Sequence, residues 1–301
     1  MEWFIFALLT PVAFAITNIM DKYILTKKLK DPFSYNLITI MLNFIPISIL
    51  PFFLPLNLDL SAYLAILHGA IFAGLFVIYN KAMIKEEASR IVSLVYTFPV
   101  FVIILSIIFL QEFLFVQNYY LKYLGVMFLF ISAILVSYKK TKKKFHLSSV
   151  VAMILFYSFG TASMKVLSKY VLFGTNYWSF FFWSLVGNLL GALVLIIIPK
   201  IRKNLMRDVS NIDKKTWLLL FSTVSFMWLG SILFFVAASM GFISFVSALM
   251  SVQPLIVFLI MLFLTIRRPK ILKEEISKLS LTFKALAVIL IIVGSYLIIV
   301  V

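Results

Sequence analysis

The side chains able to do chemistry are few, and each interrupts a long apolar run. Asn18, His68, Tyr79, Tyr96, Thr97, Tyr157, Lys165, Trp228, Ser251 and Gln253 are the candidate contacts for a small solute. A lone histidine such as His68 titrates near neutral pH and can shuttle a proton, or it simply bonds a neighbour. Lys165 either attracts an anionic group in an aqueous cavity or snorkels to the membrane surface. Asn43 and Asn188 are placed to bond between helices, or to bind a solute. Tyr96 and Thr97 precede Pro99, and Ser251 and Gln253 precede Pro254. A proline inside a helix removes one backbone hydrogen bond and frees a carbonyl one turn earlier. Polar groups beside such a kink can line a cavity, whereas the kink itself can also be a static packing device. The rings of Tyr79, Tyr157 and Trp228 suit an organic solute over a bare ion.

These residues do not add up to a catalytic centre. The chain has two histidines, His68 and His146, no cysteine, no G-x-S-x-G and no aspartate-rich metal motif. It has no G-x-x-x-x-G-K-S/T phosphate loop, so this chain does not draw on ATP directly. The expectation is a protein that is not an enzyme and carries no cofactor and no metal. No acidic residue falls at the middle of an apolar run. Asp21 and Glu112 lie near the ends of theirs, and Asp21 can pair with Lys22 or another lysine. A charge at the bilayer centre costs roughly 2.5–3.5 kcal/mol on insertion scales, so this absence is informative.

The elements that position these groups follow from composition. Of the 301 residues 63% are hydrophobic and 13% charged, with a mean hydropathy of +1.11. A soluble domain is about half apolar and about a quarter charged. A membrane helix takes about 20 mostly apolar residues, and ten segments of that kind can be traced. They are 3–24, 33–54, 61–80, 90–112, 120–138, 148–170, 177–198, 216–237, 244–265 and 283–301. The predicted fold class is therefore an all-α integral membrane protein. The charged stretch from Tyr79 to Arg90 reads as a hairpin turn between the third and fourth spans. The longest loops are 201–215 and 266–282, and neither holds a soluble domain. The segment 270–282 has near-helical apolar spacing among charges, which fits either an amphipathic surface helix or a solvated linker.

The net charge of +16 is not spread evenly. Of the 27 lysines and arginines, 24 belong to the loops after the odd-numbered spans, leaving Lys122, Lys165 and Lys169 on the other side. Basic short loops stay on the cytoplasmic side, so KKTKKK at 139–144 reads as a cytoplasmic loop and not as a nucleic-acid patch. Both termini then face outward. The first span has no basic leader and is longer than a signal-peptide core, although AFA at 13–15 is a weak cleavage site, so it is expected to remain.

The chain also matches itself. A shift of 155 lays Ala82 on Ala237, Ser89 on Ser244, Leu94 on Leu249 and Pro99 on Pro254. A shift of 147 lays DKYIL (21–25) on SKYVL (168–172), Ala15 on Ala162 and Asn18 on Lys165. The halves are then residues 1–145, with a cytoplasmic linker at 139–146, and residues 146–301, each of five spans. An odd number inverts the second half relative to the first. Inverted repeats with a site at their interface are a transporter signature.

Alanine 82, Ser89 and the run P-V-F-V-I-I-L-S-I-I-F-L-Q-E (99–112) resemble the EamA-type transporters of the drug/metabolite transporter superfamily. The resemblance extends over essentially the whole chain and is most specific at 79–112. The second half keeps Ala237 and Pro254 but has Thr265 where the first ends in Leu-Gln-Glu. The resemblance implies an all-helical carrier of small metabolites, often an exporter, with a central cavity and both termini inside, where the charge count puts them outside. A dual-topology relative of this fold inserts either way. The small multidrug-resistance branch carries a buried glutamate in its first helix, and this chain has none.

The expected function is secondary transport of a small organic solute, such as an amino acid or related metabolite, by alternating access in a cell membrane. The first, third, sixth and eighth spans and the kinked fourth and ninth would line the path. The expected partners are the solute and the lipid bilayer, with no nucleic acid. A monomer and a homodimer both fit. A non-transporting scaffold or receptor would have no need of the repeat, and a membrane enzyme would need catalytic groups gathered at one depth.

Overall fold

A computed structural model describes residues 2–86, 88–112, 118–137, 149–267 and 278–300. The described residues are helical, with no strand. Seven helical segments are long and apolar enough to cross a membrane: Glu2–Lys27, Pro32–Phe52, Leu60–Lys85, Val150–Leu172, Tyr177–Ile196, Lys214–Met240 and Ile243–Arg267. Shorter apolar helices lie at Phe98–Leu110, Tyr119–Ser132 and Leu286–Ile298.

In chain order the helices are α1 (Glu2–Lys27), α2 (Pro32–Met41), α3 (Phe44–Ile49), α4 (Leu60–Lys85), α5 (Ala88–Val95), α6 (Phe98–Leu110) and α7 (Tyr119–Ser137). They continue with α8 (Ser149–Leu172), α9 (Tyr177–Ile196), α10 (Pro199–Ser210), α11 (Lys214–Met240), α12 (Ile243–Leu249), α13 (Gln253–Arg267) and α14 (Lys278–Val300). Asp31, Asp59 and Asn176 begin α2, α4 and α9 by accepting a hydrogen bond from the backbone N–H three residues on. Each thereby satisfies a donor that the helix start leaves unpaired.

Several boundaries differ from the sequence reading. Helix α4 runs on to Lys85, so Lys81 and Lys85 lie on the helix, and Lys81 sits 4.4 Å over the ring of Phe33. Glu86 caps the end of α4, and α5 begins at Ala88. The second span is not one helix. Pro46 cannot donate to the carbonyl of Leu42, and the chain closes the gap with a tighter bond from Ile45 N–H to Leu42 O at 3.1 Å. Asn43 stands at that break. The loop after the seventh span holds α10, which begins at Pro199 and buries Ile201 and Leu205. The linker 139–146, with KKTKKK and His146, and residues 268–277 of the 270–282 segment lie outside the described residues.

The prolines of the fourth and ninth spans break their helices as expected. Pro99 leaves the carbonyl of Val95 without its helical donor, and the Ser158 hydroxyl of α8 donates to it at 3.1 Å. Pro254 leaves the carbonyl of Met250, and the Gln253 N–H donates to it through the 3₁₀ turn Met250–Val252. Backbone groups freed in lipid must find such partners.

The bundle is drawn tightest along three helix pairs, α4 with α9, α7 with α14, and α1 with α11. Between α4 and α9 the backbones touch. A Cβ added at Gly69 would fall 1.8 Å from the carbonyl oxygen of Ser184, and one at Gly187 would fall 1.9 Å from that of Ile66. Small residues let membrane helices approach in this way. Gly125 and Gly294 do the same between α7 and α14.

Candidate functional site

A cavity of about 180 Å³ lies among α1, α4, α5, α8, α9 and α11 and the two proline breaks. Helix α1 contributes Asn18 and Asp21 one turn apart, a spacing that puts both on one face. The Asn18 side-chain oxygen accepts a hydrogen bond from the Tyr79 hydroxyl of α4 at 3.0 Å. The Asp21 carboxylate is buried and accepts one from the Tyr35 hydroxyl of α2. Tyr79 and Tyr157 face each other across α4 and α8, with ring centroids 5.4 Å apart. Phe76 extends this aromatic wall, its ring 6.2 Å from Tyr79 and 6.4 Å from Tyr157.

The two broken spans meet at the cavity. Tyr96, placed between α5 and α6, donates its hydroxyl proton to the side-chain oxygen of Gln253, the first residue of α13. Both are buried and both line the cavity. The helix breaks therefore do what a continuous helix could not: they bring two polar side chains, 157 residues apart, tip to tip inside the bundle.

On the opposite wall a polar cluster joins three helices and the α2–α3 break. The Asn43 side chain donates to that of Asn188 at 3.2 Å, and its oxygen accepts from the Trp228 indole N–H at 2.8 Å. Asn188 in turn donates to the carbonyl of Gly69 at 3.0 Å. His68 Nδ1 lies 2.8 Å from the Ser184 hydroxyl. Its ring is packed by Phe72 and Phe180, each at 4.9 Å. His68 therefore bonds a neighbour, as the simpler sequence reading of it has it.

Lys165 of α8 is 8% exposed and lines the cavity. Its ammonium lies 3.4 Å from the ring centroid of Phe234, 5.1 Å from that of Phe98 and 3.5 Å from the Met250 sulfur. It turns into the bundle and does not snorkel. Lys22 and Lys169 are used differently. Lys22 donates to the carbonyls of Met83 and Glu86 at the end of α4, at 2.6 Å each. Lys169 donates to those of Ala238 and Gly241 at the end of α11, at 2.8 and 3.0 Å. A cation there satisfies the last carbonyls of a helix and opposes its dipole. Glu112 is also structural. Left-handed Gln111 ends α6 and delivers the Glu112 carboxylate to the start of α12. There it accepts from Ile243 N–H at 2.6 Å, Ser244 N–H at 3.1 Å and the Ser244 hydroxyl at 2.6 Å.

Seven of the ten residues singled out in the sequence line this cavity: Asn18, His68, Tyr79, Tyr96, Tyr157, Lys165 and Gln253. Thr97, Trp228 and Ser251 do not. The Thr97 hydroxyl bonds back to the carbonyl of Leu94 at 3.0 Å, Trp228 supports Asn43 from behind, and the Ser251 hydroxyl is buried in the 3₁₀ turn without a hydrogen-bond partner. Asp21, Thr161, Ser184 and Ser231 line the cavity as well and were not among the ten. Thr161 and Lys165 are four apart on α8, a spacing legible in the sequence. Ser184 and Ser231 carry no local signal, since serine in a membrane helix mostly bonds its own backbone.

Comparison with known proteins is consistent with this architecture. A family model described as the EamA-like transporter family matches residues 1–138. No curated protein matches the chain. One solved structure, described as "Crystal structure of protein", superposes with a TM-score of 0.64 at 14% sequence identity, covering 98% of this chain and 98% of that one. At that identity the likeness speaks for the fold alone. The matched stretch, residues 1–138, is thus similar to the EamA-like transporter family, itself part of the drug/metabolite transporter superfamily.

Proposed function

We propose that the protein is a secondary transporter that exports a small organic solute, an amino acid or related metabolite, through the central cavity by alternating access. It would cross the cell membrane ten times, as inverted five-helix repeats 1–145 and 146–301, with both termini outside. Seven long and three shorter apolar helices are consistent with ten crossings. The lysine caps favour the repeat. Lys22 and Lys169 are equivalent under the shift of 147, and each holds the end of the third helix of its own half. The cap carbonyls of Met83 and Glu86 map onto those of Ala238 and Gly241 under the shift of 155.

The observation that carries the reading is the Tyr96–Gln253 contact at the cavity wall. It joins the broken helices of the two halves at the point where solute would pass. A path that opens first to one side and then to the other needs a wall of this kind, one that both halves contribute to and either can leave.

The test is counterflow in proteoliposomes. Liposomes loaded with unlabelled amino acids or organic acids should take up the labelled solute against its gradient. Tyr96→Phe and Gln253→Leu should abolish uptake while the purified protein still unfolds cooperatively, less stable by about 1–3 kcal/mol, the cost of stranding a buried partner. Absence of flux for a broad solute panel in both membrane orientations would refute transport, and equal flux in the variants would refute the assigned path.

A further inference from the structure

We propose that Lys165 is the anion contact of the cavity, and that the solute carries a carboxylate on a small apolar or aromatic body. This deepens the transporter reading and rests on it for the identity of the site.

The argument is a comparison of three lysines drawn into the bundle. Lys22 and Lys169 each give their protons to two backbone carbonyls at a helix end. Lys165 has no such partners. Its neighbours are a thioether and two ring faces. No carboxylate among the described residues forms an ion pair with it. Asp21, the one acidic side chain on the cavity wall among the described residues, is engaged by Tyr35.

Burying an ammonium without an anion or a set of oxygen acceptors is costly. The face of Phe234 offsets part of that cost, because a ring quadrupole attracts a cation. It also fixes where the ammonium sits, which a mobile lysine on an open surface would lack. A ring face accepts no directed hydrogen bond in the way an oxygen does. The N–H groups turned toward the cavity are therefore donors for a ligand. A carboxylate would form charge-assisted hydrogen bonds there, about twice as strong as neutral ones.

The rest of the wall specifies the body of the solute. Phe76, Tyr79, Tyr157 and Phe235 are apolar or aromatic surfaces within the same cavity. At about 180 Å³ the space suits a small molecule and not a lipid chain or a nucleotide. A simple monocarboxylate and an amino acid share the required group, so both are arms of the test.

The full chain, purified in detergent, is titrated by thermal shift with 3-phenylpropanoate, 3-phenylpropanamide, 3-phenylpropylamine and phenylalanine. The first three share one body and differ in the terminal group. A ligand that binds the folded state raises the apparent melting temperature by mass action. Stabilisation by the carboxylate, with at least tenfold weaker binding of the amide and the amine, is expected. Phenylalanine binding as well as the simple acid places amino acids among the solutes. Phenylalanine failing where the acid binds restricts them to carboxylates without an ammonium, and the Lys165 contact stands in both cases. Lys165→Met should lose carboxylate binding at least tenfold, and Lys165→Arg should retain most of it. If Lys165→Met does not fold, the discrimination among the three ligands by the unaltered protein decides. Equal binding of acid, amide and amine overturns the proposal, as does unchanged carboxylate affinity in Lys165→Met or absence of carboxylate binding at millimolar concentration. Carboxylate binding without any flux in liposomes would sink the transporter reading and leave the anion site standing. Flux of a cation or neutral solute that survives Lys165→Met would do the reverse.

Discussion

Gly69→Ala should loosen the whole bundle, although it adds a single methyl group. The new Cβ would lie 1.8 Å from the Ser184 carbonyl oxygen, 2.7 Å from the Asn188 nitrogen and 2.8 Å from the Ser184 carbonyl carbon, all backbone atoms. None of these can rotate away as a side-chain tip can. To reach an ordinary contact of 3.4 Å the helices α4 and α9 must part by about 1.6 Å. The hydrogen bond from Asn188 to the carbonyl of Gly69, 3.0 Å long, breaks at that separation. Overpacking costs about 1–3 kcal/mol, and an interhelical hydrogen bond in a membrane protein contributes about 0.6 kcal/mol. Together these give a loss of about 2–4 kcal/mol. Gly74, five residues on in the same helix, is the control, because a Cβ there meets nothing within 4 Å. Gly74→Ala should be neutral or slightly stabilising, since alanine favours a helix over glycine by up to about 1 kcal/mol. Thermal unfolding of both variants in one detergent, followed by tryptophan fluorescence, separates the outcomes. If Gly69→Ala melted with Gly74→Ala, the backbone contact between α4 and α9 would not exist in the folded protein.

Four further outcomes follow from named contacts. Lys22→Met and Lys169→Met should lower the melting temperature by similar amounts, each removing two carbonyl bonds, and a large effect from only one of them would count against the repeat. Glu112→Gln should destabilise by about 1–3 kcal/mol, because its bonds to Ile243 and Ser244 lose their charge; urea or SDS titration reads this directly. Ser158→Ala should cost about 1 kcal/mol by stranding the carbonyl that Pro99 frees, with no loss when combined with Pro99→Ala, which restores a helical donor. Because the chain has no cysteine, Tyr120→Cys and Lys203→Cys are clean topology reporters. An impermeant thiol reagent should label the first from outside intact cells and leave the second untouched.

The helices themselves were legible because an apolar run of about 20 residues has few other uses. The breaks at Pro99 and Pro254 were equally readable, since proline acts through its own ring wherever it sits. The break at Asn43 was not foreseen although Pro46 signals it, because the second span reads as continuous by hydropathy alone. Helix lengths were underestimated at the charged ends, where Lys81 and Lys85 stay helical while their side chains reach for water and ring faces. What no local pattern revealed was pairing. The Tyr35–Asp21 and Tyr96–Gln253 contacts depend on how helices rotate about their axes, and that is set by neighbours far along the chain. The meeting of α4 and α9 left a faint trace. Gly187 and Gly191 stand in small-xxx-small spacing, but such spacing names no partner, and Gly69 on α4 supplies it.

That pairing also breaks the proposed symmetry, and in a way that bears on mechanism. Two equivalent halves would pack α11 on α2 as they pack α4 on α9. Instead α4 and α9 run against each other along their length, whereas α2 and α11 touch at few positions, with Trp228 reaching Asn43 at the break that follows α2. The difference is written in the residues. The shift of 155 sets Val224 opposite Gly69, and the shift of 147 sets Ile40 and Phe44 opposite Gly187 and Gly191. Glycine lets backbones meet at one seam, and branched or aromatic side chains hold them apart at the other. If transport exchanges the two seams, its end states cannot be equal in energy: the one seen here seals with backbone contact, and its counterpart must seal with side chains. A methyl group at Gly69 then acts twice. It lowers stability, and it shifts the resting population toward the state in which α4 and α9 have parted, so that single cysteines introduced along α9 should become more accessible to thiol reagents in a Gly69→Ala background before the protein unfolds.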